Sequence, residues 1–508
     1  MQASNHSRRR LIAGAAALPA PAAALSSRSW AADARTVTIA YPVDILAWDA
    51  LQVNPTQSGI IKCVYDQPIE IGRDLKYRDS VVSKYQWLDK SCTSLELTLR
   101  DDVKFHNGDR FTSADVRYSF FERPQAEKIS LLAGVWNTVS GIETPTATRA
   151  IMKFSKPMAT APIMLGDIPA YLLPKAYSER VGKAGFELAP VGSGPFKVVE
   201  YQRDVRIVLE ANENYWRGAP RIKRLVFQIT KDPTARAAAM QSGQADVTMN
   251  LPVRDAERLG ALPGLEPHID PTTGIVLLMI PNTGAMQDRN LRLALHHAID
   301  KPTLSKALFG GHATPIWMPA GPGMPSYVPD FKIAFDPSIA KALLAKAGYG
   351  PDKPAAIKFY TTKGVFPSDY ETARAIQQMW KRVGIEADLQ VLDSPTLYSY
   401  QNNGKFEGPV LKPFNPAGGD PGTYSGFMLD PAMSFAVWKS QDIPSKLYPL
   451  MAEADYDKRI AGFKAFDQWQ VEQGYSIPLF LGLTTIVARK TLALKPHRSG
   501  VIQPYDWT

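Results

Sequence analysis

Between Ala356 and Leu392 the hydrophobic pattern changes period twice, and this constrains the architecture more than any other stretch of the chain. Ile357 and Phe359 alternate with neighbours on the other face, as in a strand. Ile376, Met379, Trp380 and Val383 then recur at helical spacing up to Gly384, after which Ile385, Ala387, Leu389 and Val391 alternate against Glu386, Asp388 and Gln390. Two strands joined through a helix cannot form a hairpin; the crossover lays them parallel in one sheet. The expected fold class is therefore α/β. Open sheets of this kind bind ligands beyond the carboxyl ends of their strands, which points Lys363-Gly364, just after the first strand, at a cleft. Lys363 is placed there to pair with a ligand carboxylate; a solvated loop lysine is the plain alternative.

Other segments carry equally local signals. Val37 to Tyr41 reads as a first strand, and Leu95, Leu97 and Leu99 alternate with Glu96, Thr98 and Arg100 in a strand with one buried face. Asn107-Gly108 marks a turn, and Thr112-Ser113-Ala114-Asp115 is a capping box that starts a helix. Gly192-Ser193-Gly194-Pro195 opens a hairpin with arms Phe196 to Tyr201 and Val205 to Leu209. Asp232-Pro233 caps a helix that stops at Gly243; Asp336-Pro337 starts another, with Leu343, Leu344 and Ala347 buried and Gly348 as its stop. Leu291, Ala294, Leu295, Ala298 and Ile299 share one apolar helical face.

A chain of 508 residues is too long for one ordinary core, so two or more domains are expected. Four of the arginines behind the net charge of +9 lie in the first 31 residues, and the rest of the excess is spread thinly. No basic stripe or tail of the kind that nucleic acid requires is present. That first segment, residues 1–31, has Arg8-Arg9-Arg10 ahead of an Ala-rich apolar run and small residues at Ser29 and Ala31. It reads as an export signal, with paired arginines like those of the twin-arginine type. The run is short and broken by Pro19 and Pro21, so an uncleaved membrane anchor is the weaker reading. With no later stretch long enough to span a bilayer, a periplasmic protein is expected. Cys63 and Cys92 could pair in such a compartment. Twin-arginine substrates fold in a reducing cytoplasm, which favours two free thiols.

Catalytic signatures are missing. Gly192-Ser193-Gly194 is not a Gly-x-Ser-x-Gly elbow and precedes a hairpin instead of joining a strand to a helix. No P-loop or dinucleotide fingerprint occurs, and neither a His-Glu-x-x-His nor a Cys cluster offers a metal site. His296-His297 are adjacent on a helix and point to different faces. No cofactor is implied. A twin-arginine-exported periplasmic enzyme is the competing class.

Several ordered motifs resemble one family. Leu97-Thr98-Leu99-Arg100-Asp101-Asp102-Val103-Lys104-Phe105-His106-Asn107-Gly108, Pro190-Val191-Gly192-Ser193-Gly194-Pro195-Phe196, Asn212-Glu213-Asn214-Tyr215-Trp216 and Ala237 to Asp246 follow one another in the first half. Asp288-Arg289-Asn290-Leu291-Arg292-Leu293-Ala294-Leu295-His296-His297-Ala298-Ile299-Asp300 follows in the second. Together these resemble the peptide- and nickel-binding class of periplasmic solute-binding proteins that serve ABC importers. The resemblance implies a two-lobed binding protein with a ligand cleft between the lobes. The larger lobe would comprise residues 32–274 plus 478–508 with an extra subdomain at about 66–190, and the smaller lobe residues 275–477. It also implies a small peptide-like ligand, membrane permease subunits as partners, and a monomer. In such receptors an Asp-Pro aspartate pairs with the ligand ammonium, and Asp420, in Asn415-Pro416-Ala417-Gly418-Gly419-Asp420-Pro421-Gly422, is the matching position. A buried carboxylate lacking a partner would gain from such a cation, although the segment is also plain turn chemistry. The resemblance places Trp48, Gln57 and Tyr424 near the cleft, where ordinary packing is the alternative for each. Departures at Asp89 to Thr93 and at Leu291, Leu293 and His296-His297 mark a divergent branch, leaving peptides, opines, glycosides and metal chelates as ligand classes.

Overall fold

A ten-stranded mixed sheet runs through the molecule, and two of its strands extend from one half to the other. The structure is a computed structural model that describes residues 36–507 apart from 53–54, 127–135, 168–169, 415–416 and 434–435. The proposed export signal at 1–31 and the Asn415-Pro416 step therefore lie outside the described residues.

The strands in chain order are β1 (Thr36–Tyr41), β2 (Ile69–Ile71), β3 (Tyr77–Asp79), β4 (Val82–Trp87), β5 (Ser94–Leu99), β6 (Val139–Thr146), β7 (Arg149–Phe154) and β8 (Phe196–Gln202). They continue with β9 (Arg206–Ala211), β10 (Arg224–Ile229), β11 (Val247–Thr248), β12 (Leu265–Met279), β13 (Ala355–Thr361), β14 (Ile385–Val391), β15 (Val410–Phe414) and β16 (Ser476–Arg489). The large sheet has the order β14-β13-β15-β12-β16-β11-β1-β10-β9-β8, and a separate antiparallel sheet has the order β4-β5-β7-β6.

The crossover read from the period changes is present: β13 and β14 pair in parallel from Ala355–Ile385 to Thr361–Val391, with the Asp369–Lys381 helix between them. Trp380 anchors that helix, fully buried and donating its indole N–H to the Leu295 carbonyl at 3.0 Å. Burying a side chain of that size contributes roughly 1.5–3 kcal/mol. The local caps also form. Asp232 accepts from the Ala235 amide and Asp336 from Ser338 and Ile339, and the Thr112–Asp115 capping box is closed in both directions.

Three expectations of burial need correcting. Glu96, expected on the wet face of β5, is only 7% exposed, because Arg149 and Gln86 from neighbouring strands cover and bind its carboxylate. Val391 is exposed at the last position of β14, the edge strand of the sheet. Leu343 and Ala347 are only half-buried; Ala340 and Leu344 carry the packing of that helix. Cys63, in the Ser58–Val64 helix, and Cys92, at the β4–β5 turn, are both buried and unpaired. Burial raises the pKa of both thiols.

The interior divides along the long strands. On β12, Ile275, Leu277 and Met279 join one apolar core, while Val276 and Leu278 turn the other way into a second. That second core is built from Val253 and from residues between Val276 and Phe480. The alternation is the strand period of two, so one strand serves two cores. The β12–β16 ladder shifts register between Pro271 and Ile275, and from Ile275 onward β12 also pairs with β15. Gly482 lies opposite this bulge, and a Cβ there would press on the Thr272 hydroxyl at 2.8 Å. A bulge flanked by glycine loosens a ladder locally and lets it bend. The pair of long strands thus runs between the two cores with an irregular point along its ladder.

Candidate functional site

The seam between the lobes is built on a glycine-rich turn that leads into a capped helix. Asp420 N-caps the Pro421–Met428 helix, accepting from the Gly422 amide at 2.8 Å with Pro421 at the first helical position. This is the standard local chemistry for starting a helix. Gly418 has φ +62°, and a Cβ on it would fall 2.8 Å from the Tyr77 hydroxyl; a Cβ on Gly422 would fall 2.7 Å from the Thr160 methyl. Tyr77 lies on β3 and Thr160 follows β7, in the part of the chain expected from sequence to form the larger lobe. The glycines are therefore what allows this backbone to approach it. Nearby, the Ala159 amide donates to the Met451 carbonyl at 3.2 Å, and the Lys156 ammonium lies 5.1 Å from the Tyr448 ring centroid.

The lobes also meet on a second flank. Arg236 is fully buried, and its guanidinium donates to the carbonyls of Thr230, Lys231, Met249 and Asn250 in its own lobe at 2.7–3.1 Å. It also reaches the Gly364 carbonyl of the smaller lobe at 3.3 Å. Asn250 donates to the neighbouring Val365 carbonyl at 3.1 Å, and a Cβ on Gly364 would sit 3.1 Å from Pro233. The turn after β13 thus packs against the larger lobe.

The Asp420 carboxylate is not waiting for a partner, as the sequence argument supposed. Arg459, from the Tyr456–Glu472 helix, binds it in a fork at 3.0 and 2.9 Å, with the two side chains 4% and 5% exposed. A buried pair of this geometry satisfies both charges, and removing either partner strands the other. Arg459 was invisible to sequence reading. It lies on a different helix, and only the Asp455 cap that starts this helix is a local signal.

Of the other expected residues, Tyr424 is buried with its ring 5.0 Å from Phe414, within the apolar core that spans the seam; burial raises its pKa. Lys363 is exposed, 5.7 Å from the Tyr370 ring centroid, beside the second flank. Trp48 is fully buried; its carbonyl accepts from the Tyr65 hydroxyl at 2.7 Å and its ring meets Tyr201 edge-on. Gln57 is buried and donates to the Asp44 carbonyl at 3.0 Å. The described contacts of Trp48 and this bond of Gln57 stay within the larger lobe.

Other singled-out motifs are structural. His106 and Asn212 both bind the Gly194 carbonyl, at 2.9 and 3.2 Å, and the Gly194 amide donates to Val64. Arg292 binds the carbonyls of Met286, Gln287 and Gln473 and stacks 4.4 Å over Trp438. His296 is buried against Lys301 at 3.1 Å, whereas His297 is half-buried and paired with the Ala334 carbonyl. Among the described residues no group of three His, Cys, Asp or Glu side chains converges as for a metal ion. No helix among them is long and apolar enough to cross a membrane.

A two-lobed α/β body, jointed through paired strands and meeting along a seam, is the architecture of a solute-binding receptor. Residues 78–432 match the description "Bacterial extracellular solute-binding proteins, family 5 Middle", and the chain belongs to that family. It is 26% identical over 407 residues to the dipeptide-binding protein of Escherichia coli (strain K12), covering 72% of this chain and 74% of that one. Its fold matches that of NikA from Staphylococcus aureus in complex with Ni(L-His)2, with a TM-score of 0.82 at 18% identity, covering 93% of this chain and 99% of that one. It also matches the ABC transporter-associated periplasmic binding protein DppA of Helicobacter pylori in complex with the peptide STSA. There the TM-score is 0.81 at 19% identity, covering 92% of this chain and 96% of that one.

Proposed function

We propose that this chain is the extracytoplasmic receptor of an ABC importer, and that it captures a small peptide or amino-acid conjugate by closing its two lobes. One observation carries the reading. The lobes are joined by the continuous β12–β16 ladder, and among the described residues their facing surfaces also meet through a shared apolar core and through directional bonds such as Arg236–Gly364, Asn250–Val365, Ala159–Met451 and His312–Glu257. A ligand that touches both surfaces favours the closed arrangement by its differential affinity, and a few kcal/mol suffices to make closure a reliable signal to a permease. The relatives named above bind dipeptide, peptide and a nickel–histidine complex, which supports a ligand with amine and carboxylate groups. In this reading the lobes follow the boundaries expected from sequence, the protein is a periplasmic monomer exported through the twin-arginine route, and it performs no catalysis.

Asp420 and Arg459 serve as the polar anchor: the carboxylate has about four acceptor sites, of which Arg459 and the Gly422 amide take three, and a ligand ammonium takes the other, while Tyr424 supplies apolar area. Lys363 lies at the margin, with Trp48 and Gln57 supporting the larger-lobe wall. The test is native mass spectrometry of the freshly purified protein, followed by thermal shift with dipeptides, longer peptides and Ni(L-His)2. A true ligand at 100 times its Kd should stabilise the protein by roughly 2.7 kcal/mol. If none of these moves the melting temperature or the scattering radius, the ligand class is wrong. Unchanged affinity of Asp420→Asn for an amine ligand removes that residue from the anchor.

A further inference from the structure

Most buried cations among the described residues have several acceptors. Arg236 has five carbonyl acceptors, Arg292 has three and an aromatic face, Lys301 has His296 and the Ile316 carbonyl, and Arg459 has Asp420. Lys412 is different. It projects from the middle of β15 and is 4% exposed, yet its ammonium has one hydrogen-bond acceptor among the described residues, Gln401 Oε1 at 2.6 Å. The Tyr398 ring centroid also lies 4.6 Å from the ammonium. An ammonium carries three donors, and leaving donors of a charged group unmatched in the interior is costly.

The direction of the side chain gives that cost a purpose. Lys412 stands opposite Leu277 in the β12–β15 ladder, and Leu277 and Val410 on the same face join the apolar core that contains residues of both lobes. Leu411 and Leu278, on the opposite face, fill the smaller lobe's own core. Lys412 therefore faces the larger lobe. Gln401 comes from the Ser394–Asn402 helix and also lies 4.0 Å from the Met428 sulfur, at the far end of the helix that Asp420 caps. The half-satisfied cation thus sits under the same seam as the Asp420–Arg459 pair. Burial, with no carboxylate countering it, lowers the lysine pKa to about 7.

Resting on the receptor reading above, we infer that Lys412 is a ligand-binding residue whose missing partner is an anionic group of the solute, a carboxylate being the simplest. The ligand class narrows accordingly to solutes that carry a carboxylate as well as any amine.

The test uses Lys412→Met, which keeps an unbranched side chain of similar length without the charge, and Lys412→Gln as a second variant. In ligand-free protein both should melt above the wild type, because an unmatched charge is removed. A lysine that merely packs would instead lower the melting temperature when replaced, and an unchanged or lowered value in both variants overturns the inference. Binding is probed with a tryptic casein hydrolysate, untreated and with all carboxylates methyl-esterified, and read by native mass spectrometry. The wild type should retain peptides from the untreated digest only, and Lys412→Met should retain them at least about tenfold more weakly, the worth of one charge-assisted hydrogen bond. Equal retention of the esterified peptides overturns the carboxylate assignment while leaving the receptor reading intact. Retention from neither digest refutes the peptide reading, and the melting comparison then decides the role of Lys412 alone.

Discussion

Replacing Asn250 by glycine should open the lobes without harming either. The Asn250 amide donates to the Val365 carbonyl across the seam at 3.1 Å. A neutral hydrogen bond of this kind is worth about 1 kcal/mol, which corresponds to about fivefold in an equilibrium constant. Asn250 has φ +55°, so alanine would add backbone strain unrelated to the seam; glycine adopts that conformation freely. Any cost to the unfolded chain is common to the open and closed forms and cancels between them. The closed-to-open ratio should therefore fall about fivefold. If the ligand binds the closed form only, its apparent affinity falls by up to the same factor. Spin labels at Lys183→Cys and Lys381→Cys, exposed positions on the larger and smaller lobe, report the ratio through their distance distribution, and the buried native cysteines do not compete for label. An identical distance distribution together with unchanged affinity would falsify the claim that this contact holds the lobes closed.

Arg459→Met should destabilise the protein by about 3–5 kcal/mol in urea unfolding by stranding the Asp420 charge, and Asp420→Asn in the same chain should recover much of the loss. Asp467 is fully buried, and burial raises its carboxyl to about 7, above the ordinary value near 4. Its penalty is absent below about pH 4, grows between about 4 and 7, and is fully present above that, at about 4 kcal/mol for three units. Asp467→Asn should accordingly stabilise the protein at pH 8 and change little at pH 4, and equal urea midpoints at pH 8 would contradict this. Ellman's reagent should find no thiol in the native protein and two after unfolding, since Cys63 and Cys92 are both buried and unpaired.

Short-range chemistry was legible from the chain alone. The Asp-Pro starts at Asp232 and Asp336 depend on residues within a turn of one another, and both formed their caps as read; Asp420, read as a turn, also caps a helix. The crossover from β13 to β14 followed from period and handedness, which need no distant partner. The motif around Gly192 read as a turn. Its reason became visible only in three dimensions, where a Cβ would overlap the Val64 carbonyl.

Partnership over long separations was not legible. Asp420 was found by its segment, but Arg459 reached it from another helix and turned a supposed vacancy into a closed ion pair. Arg236 read as one residue of a helix, yet its guanidinium gathers carbonyls from two turns near it and from a third after β13. Nothing in the local sequence singled out Lys412, whose place emerged only once its face of the sheet was known. Period, caps and turns are properties of neighbouring residues and are set by backbone sterics. Which charges are matched, and which one is left for a guest, depends on groups brought together from far along the chain, and only the packed structure assembles those.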